Sequence, residues 1–153
     1  MKWIIPLVIA AMDQWIKQGV RNLPAGQAFF RLPGLFELVP STNTGAAFSL
    51  FSGNNMMLAI LSVALLTSAA IFVQKAIRLT RFASVACLIL LGGGIGNLID
   101  RLLFGGVTDY IRILFFNFPV FNLADICITC SVFVLIVLLL TDRLEEHSGE
   151  NYE

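Results

Sequence analysis

Four long apolar runs divide the chain. The first extends from Trp3 to about Val20 and is broken by Asp13, Gln14 and Lys17. The second, Met56 to Val73, carries no charge in 18 residues. The third, Phe82 to about Leu103, is apolar as far as Gly96 and then takes in Asn97, Asp100 and Arg101. The fourth, Phe121 to about Thr141, holds Asn122 and Asp125 near its start. A helix needs about 20 residues to cross a hydrocarbon core of about 30 Å, so each run is long enough to span once. Backbone groups in lipid must be satisfied within the segment, which favours helices, and no alternating ten-residue pattern of a membrane barrel is present. The pattern predicts an all-α membrane protein of four transmembrane helices, a single integral membrane domain over residues 1–153. The spans are about 3–20, 56–73, 82–103 and 121–141, the long first loop is 21–55, and the tail 142–153 is acidic. Within the first loop, Ala28–Leu32 and Leu35–Val39 flank Pro33-Gly34, a turn dipeptide, which predicts a small β-hairpin at the membrane surface.

Composition narrows the class further. Hydrophobic residues make up 58% of the chain and charged ones 13%, against about 45–50% and about 25% in soluble domains. Lys+Arg and Asp+Glu balance at 10 each, so the basic excess that nucleic acid requires is missing and no such partner is expected. Lys75, Arg78 and Arg81 crowd the short loop between spans two and three without an acid. Short basic loops stay in the cytoplasm, which places both termini inside and the loops 21–55 and 104–120 outside. Lys2 followed by Trp3–Met12 imitates a signal peptide, but no Ala-x-Ala-like site follows and Asp13 ends the run.

The polar intruders carry the chemistry. An ionisable residue in lipid costs several kcal/mol unless paired or hydrated, so its presence there is a functional hypothesis. Asp13, Lys17, Asp100, Arg101 and Asp125 lie in or at the ends of the spans, and Asp109 lies in the second outer loop. With this topology all of them fall in the outer half of the membrane, which suggests one site. Asp13 and Lys17 are i,i+4, Gly93, Asn97, Asp100 and Arg101 form one stripe, and Asn122 and Asp125 are i,i+3. Asp13 and Asp100 each have a cation beside them, Lys17 and Arg101, and are as well explained by buried ion pairs as by catalysis. Asp125 has no cation within a helical turn, and Asp109 has only Arg112. Acids without an evident partner are the better catalytic candidates.

Other chemistries fall away. The glycines 92–94 and 96 lack the Lys-Ser/Thr of a phosphate loop, and Gly92-x-x-x-Gly96 reads as a helix contact. Cys127 and Cys130 have CxxC spacing without a second pair, so these cysteines and Cys87 are expected to be small buried packing residues. The one histidine, His147, lies in the acidic tail, which removes a serine or cysteine hydrolase and a zinc protease. No metal and no cofactor are expected. Two carboxylates activating a water remain, since one of a close pair is held protonated while the other is ionised.

These residues, in this order, resemble the lipoprotein signal peptidase (signal peptidase II) family of bacterial inner-membrane aspartic proteases. The matching blocks are Asp13-Gln14-x-x-Lys17, Asn43-Thr44-Gly45-Ala46-Ala47-Phe48-Ser49, Gly96-Asn97-Leu98-Ile99-Asp100-Arg101, Val107-Thr108-Asp109-Tyr110-Ile111 and Phe118-Pro119-x-Phe121-Asn122-Leu123-Ala124-Asp125. The resemblance implies Asp109 and Asp125 as the catalytic pair. It implies Asp13, Lys17, Asn43, Gly93, Asn97, Asp100, Arg101, Asn122 and Ala124 as supporting or substrate-binding residues. It further implies an outer-face β-cradle, a mobile loop within 21–55, diacylglyceryl-prolipoprotein substrates drawn from membrane lipid, and peptide-like inhibitors such as globomycin. Thr108, where the family often has Val, and Ile126, where Ser is common, are mild departures. A small multidrug exporter built around Asp13, or a non-catalytic assembly subunit, would also have four short spans. Neither accounts for several acids at the outer face.

Overall fold

The computed structural model describes residues 2–45, 51, 53–75 and 79–144, with the side chain of Lys75 excepted. Residues Ala46, Ala47, Phe48 and Ser49 of one motif, Arg78 of the basic loop, and the tail with His147 lie outside the described residues. Four helices occupy the four apolar runs: α1 (Ile4–Arg21), α2 (Asn55–Lys75), α3 (Arg81–Phe104) and α4 (Leu123–Leu140). Three strands form one antiparallel sheet in the order β1 (Phe30–Leu32), β2 (Phe36–Asn43) and β3 (Val107–Ile113).

α2, α3 and α4 are long and apolar enough to cross a membrane. α1 is the exception, because its 18 residues include Asp13, Lys17 and Arg21. All three turn towards the protein: Asp13 and Lys17 are fully buried, whereas Leu7, Val8, Met12 and Trp15 face outward. α3 is the axis on which the other helices pack. Its glycines decide how closely they approach. A Cβ on Gly92 would stand 2.7 Å from the Ile9 Cβ of α1, and one on Gly93 would stand 2.6 Å from the Ala124 carbonyl oxygen of α4. Small residues thus bring both helices to backbone contact, as the Gly92-x-x-x-Gly96 spacing predicts.

The expected hairpin is present, closed by Gly34 at φ +76°. The third strand is new, because Asp109 lies on β3 where sequence reasoning placed an outer loop. Gly105 ends α3 in the left-handed conformation at φ +73°, a common helix C-cap, and the chain enters β3 two residues later. β2 slips register between Leu38 and Ser41, so Ser41 stands opposite Asp109 and Asn43 opposite Val107.

Candidate active site

The first turn of α4 sets the site. Asn122 caps the helix: its Oδ1 accepts from the Asp125 N–H at 2.9 Å, and Asp125 Oδ2 accepts from the Asn122 N–H at 3.2 Å. This reciprocal box satisfies two backbone donors that a helix start leaves open, and it holds the Asp125 carboxylate against its own helix. Asn122 Nδ2 also donates to Asp109 Oδ1 at 2.6 Å. One fully buried asparagine therefore touches both acids. Asn97 Nδ2 donates to Asp125 Oδ1 at 2.8 Å, which ties α3 to the pair. The Asn43 side chain hydrogen-bonds to Asp109, and its Oδ1 accepts from the Gly45 N–H at 2.9 Å.

A charged layer lies beneath. Lys17 Nζ stands 2.8 Å from Asp13 Oδ2 and 3.4 Å from Asp100 Oδ2, and donates to Asn97 Oδ1 at 2.8 Å. Asp13 Oδ1 accepts from the Ala124 N–H at 3.1 Å. Asp100 accepts from Gln14 Nε2 at 2.7 Å, from Arg21 Nη2 at 2.5 Å and from the Thr108 N–H at 2.7 Å. That last bond grips β3 one residue before Asp109. Arg21 adds a second hold on the strand through Thr108 Oγ1 at 3.0 Å, with its guanidinium over the Phe104 ring.

Asp109 and Asp125 open onto one cavity of about 390 Å³, which Asn43, Asn97 and Arg101 also line, with Phe118 to Phe121 as an apolar wall. Burial first, and the neighbouring Asp125 charge second, push the Asp109 carboxyl up to about 7, against the hydrogen bonds from Asn122 and Asn43. A carboxyl so placed can hold a proton at neutral pH. Among the described residues neither acid takes part in an ion pair, as the spacing argument expected. Arg112 pairs with Glu37 of β2 at 2.9 Å.

Two expectations need correction. Asp100 does not pair with Arg101, because adjacent helix positions diverge by about 100°. Asp100 faces Lys17 and Arg21 of α1. Arg101 instead donates to the Gly45 carbonyl at 2.8 Å and to Asn55 Oδ1 at 3.4 Å. The stripe thus splits three ways, with Gly93 and Asn97 towards α4, Asp100 towards α1 and Arg101 towards the start of α2. The cysteines also differ from expectation: all three are free, but Cys130 is exposed and only Cys87 is buried. Sequence reasoning missed Arg21. The signal was there, since Asp13, Lys17 and Arg21 repeat at i, i+4 and i+8 along one helix face.

The fold and site define a helical membrane protein with a carboxylate pair, Asp109 buried and Asp125 half-buried, facing one cavity. Residues 5–141 match the family described as Signal peptidase (SPase) II, and the chain belongs to that family of peptidases. It is similar to the lipoprotein signal peptidase of Streptococcus thermophilus, with 33% identity over 150 residues, which cover 95% of this chain and 98% of that one. It is similar to the lipoprotein signal peptidase of Dehalococcoides mccartyi at 43% identity over 132 residues, 84% of this chain and 79% of the other. A solved bacterial membrane enzyme superposes with a TM-score of 0.86 at 29% identity, covering 99% of this chain and 92% of its own. A second, also described as a bacterial membrane enzyme, gives 0.82 at 31% identity, covering 92% and 93%.

Proposed function

We propose that this chain removes signal peptides from prolipoproteins by cutting before a diacylglyceryl-modified cysteine, with Asp109 and Asp125 activating the attacking water. The single observation that carries the reading is the convergence of two carboxylates, one from a strand and one from a helix start, on a common cavity and a common asparagine. At neutral pH the pair shares one proton, and the titration belongs to the pair. The ionised carboxylate takes a proton from water as the oxygen bonds to the carbonyl carbon preceding the cysteine. The protonated carboxyl donates to the carbonyl oxygen. When the C–N bond breaks, a proton passes to the departing amine, leaving a new carboxyl and a free cysteine amino group.

The other residues hold this arrangement. Asn122, Asn97 and Asn43 orient the carboxylates, while Asp100 and Arg21 fix β3. Lys17 and Asp13 hold Asn97 and the start of α4, where Gly93 allows Ala124 its close approach. Arg101 ties the cavity wall to Gly45 and Asn55. All are positioning residues.

The reading includes four membrane crossings, with both termini in the cytoplasm and the dyad towards the outer face of the bacterial inner membrane. α1 supports this despite its charges. Its 18 residues reach about 27 Å, and its exposed face is apolar while its ions point inward. A topology reporter fused near Arg78 registers as cytoplasmic and one fused near Pro33 as external; the reverse pair of signals would move the site to the wrong face.

A dyad at membrane depth requires a scissile bond held there, which a lipid anchor provides. Purified enzyme in mixed micelles should cut a diacylglyceryl-prolipoprotein at least about tenfold faster than the same protein without the lipid, an advantage of about 1.4 kcal/mol in the transition state. Equal rates on the two substrates would refute this assignment.

A further inference from the structure

A helix starts with four backbone N–H groups that its own ladder leaves open, and at the start of α4 each of the four meets a side chain. The Asn122 and Asp125 donors are used inside the capping box, at 3.2 Å and 2.9 Å. The Ala124 N–H goes to Asp13 of α1 at 3.1 Å. The Leu123 N–H goes to the Tyr110 hydroxyl oxygen at 3.2 Å. The ladder begins with the next donor, Ile126, on the Asn122 carbonyl at 3.2 Å. One of the four bonds therefore comes from β3, and from the residue directly after Asp109. Tyr110 is buried, at 6% exposure, and is not among the residues that line the dyad cavity.

We infer that Tyr110 is a positioning residue for the reaction: its hydroxyl sets where the first turn of α4, and with it Asp125, stands relative to Asp109. This role rests on the proposed function and adds a residue to it. Side chains alternate along a strand, so Asp109 and Tyr110 leave β3 on opposite faces. Both nevertheless end at the start of α4. Asp109 accepts from the Asn122 side-chain amide at 2.6 Å, and Tyr110 accepts from the Leu123 N–H. Two consecutive strand residues thus hold two consecutive residues of the helix start.

The main chain alone does not achieve this. The Tyr110 and Ile111 N–H groups both donate to the Phe121 carbonyl, at 3.0 Å and 2.8 Å, and the Phe121 N–H donates back to Ile111 at 3.0 Å. That bridge fixes the chain before the cap, whereas the Tyr110 bond fixes the first residue of the helix itself. On the other side of Asp109, Thr108 is tied to Asp100 and Arg21, so Tyr110 completes the hold on the strand around the acid. The hydroxyl suits a fixed acceptor. Burial first, and the charges of Asp13, Asp125 and Asp109 after it, push it up to about 12 against the Leu123 N–H, so it stays neutral at any assay pH near 7. Both carboxylates need hydrogen-bond reach to one water, and a misplacement of about 1 Å can cost about 10²-fold in rate.

Tyr110→Phe keeps the ring and removes only the acceptor. On a lipidated prolipoprotein it should lower kcat about tenfold at unchanged KM, because Tyr110 lies outside the cavity. Lys17 and Arg101, the cations that act on the acids, are left in place. Carboxylates held further apart repel less when both are charged, so the upper limb of the pH profile of kcat/KM should move to lower pH. Exchange of the Leu123 amide, followed by NMR in detergent, should speed up about tenfold, with Ala124 and Asp125 less affected. Leu88→Val, in the apolar core with Val73, Cys87 and Leu91, is the control for general destabilisation. It should lower the unfolding midpoint and leave kcat and the pH profile unchanged. A folded Tyr110→Phe enzyme with wild-type kcat and pH profile would overturn the role, and so would an equal loss of kcat in Leu88→Val. If Tyr110→Phe does not fold, the wild type decides: a Leu123 amide that exchanges as fast as an exposed one would overturn the role, and a protected one supports it. A wild type that cuts no lipidated prolipoprotein would refute the proposed function, and this role with it.

Discussion

Asp109→Asn and Asp125→Asn should each abolish signal-peptide cleavage, lowering turnover by about 10³-fold or more on a lipidated prolipoprotein. The size of the effect follows from the shared proton. Either replacement removes one member of an acid–base pair, and the remaining carboxyl cannot both accept a proton from water and donate one to the amide. Asparagine keeps nearly the same shape and one acceptor oxygen. Asn122 Nδ2 can therefore still donate at position 109, and half of the capping box survives at position 125. Each variant should remain folded in the membrane, which size-exclusion chromatography and thermal unfolding in detergent would verify. Because the pair acts as one unit, the double variant is no slower than either single one. A folded single variant with near-normal turnover would end the aspartic mechanism placed at these residues.

How much of this was legible in the sequence depends on which force sets each feature. Helix positions follow from burial in lipid, which acts over nearly 20 residues at a time, and the four apolar runs mark them closely. The Pro33-Gly34 turn is local chemistry and was equally readable. β3 was not, although Val107–Ile113 is rich in β-branched residues and follows Gly105-Gly106. A strand is stabilised by its partner, and β2 lies more than 60 positions away, so seven residues alone could not announce the pairing. The candidate acids stood out because charge in lipid is costly, and Asp109 and Asp125 do share a cavity. Partnership was less legible. Asp100 and Arg101 are neighbours in sequence but point to different helices, and Arg21, just beyond the apolar run, supplies the cation instead.

Lys17→Met should be the most destabilising change outside the dyad, by about 3–5 kcal/mol. The ammonium is fully buried between two equally buried carboxylates. Asp100 would keep Arg21, Gln14 and the Thr108 N–H, but Asp13 would keep only the Ala124 N–H for its charge. An uncompensated carboxylate in a helix interface is what makes breaking a buried pair so costly, since its desolvation is no longer offset. The same change removes the donor to Asn97 Oδ1, and Asn97 is the residue that holds Asp125 from α3. Stability and activity should therefore separate when the charge is balanced again. Lys17→Met combined with Asp13→Leu replaces the ion pair with apolar volume, and such replacements are often neutral, so the unfolding midpoint in detergent should recover towards wild type. Turnover should not recover, because Asn97 still lacks its anchor. A Lys17→Met protein as stable as wild type, or a double variant no more stable than the single one, would show that this lysine does not hold the charged layer together.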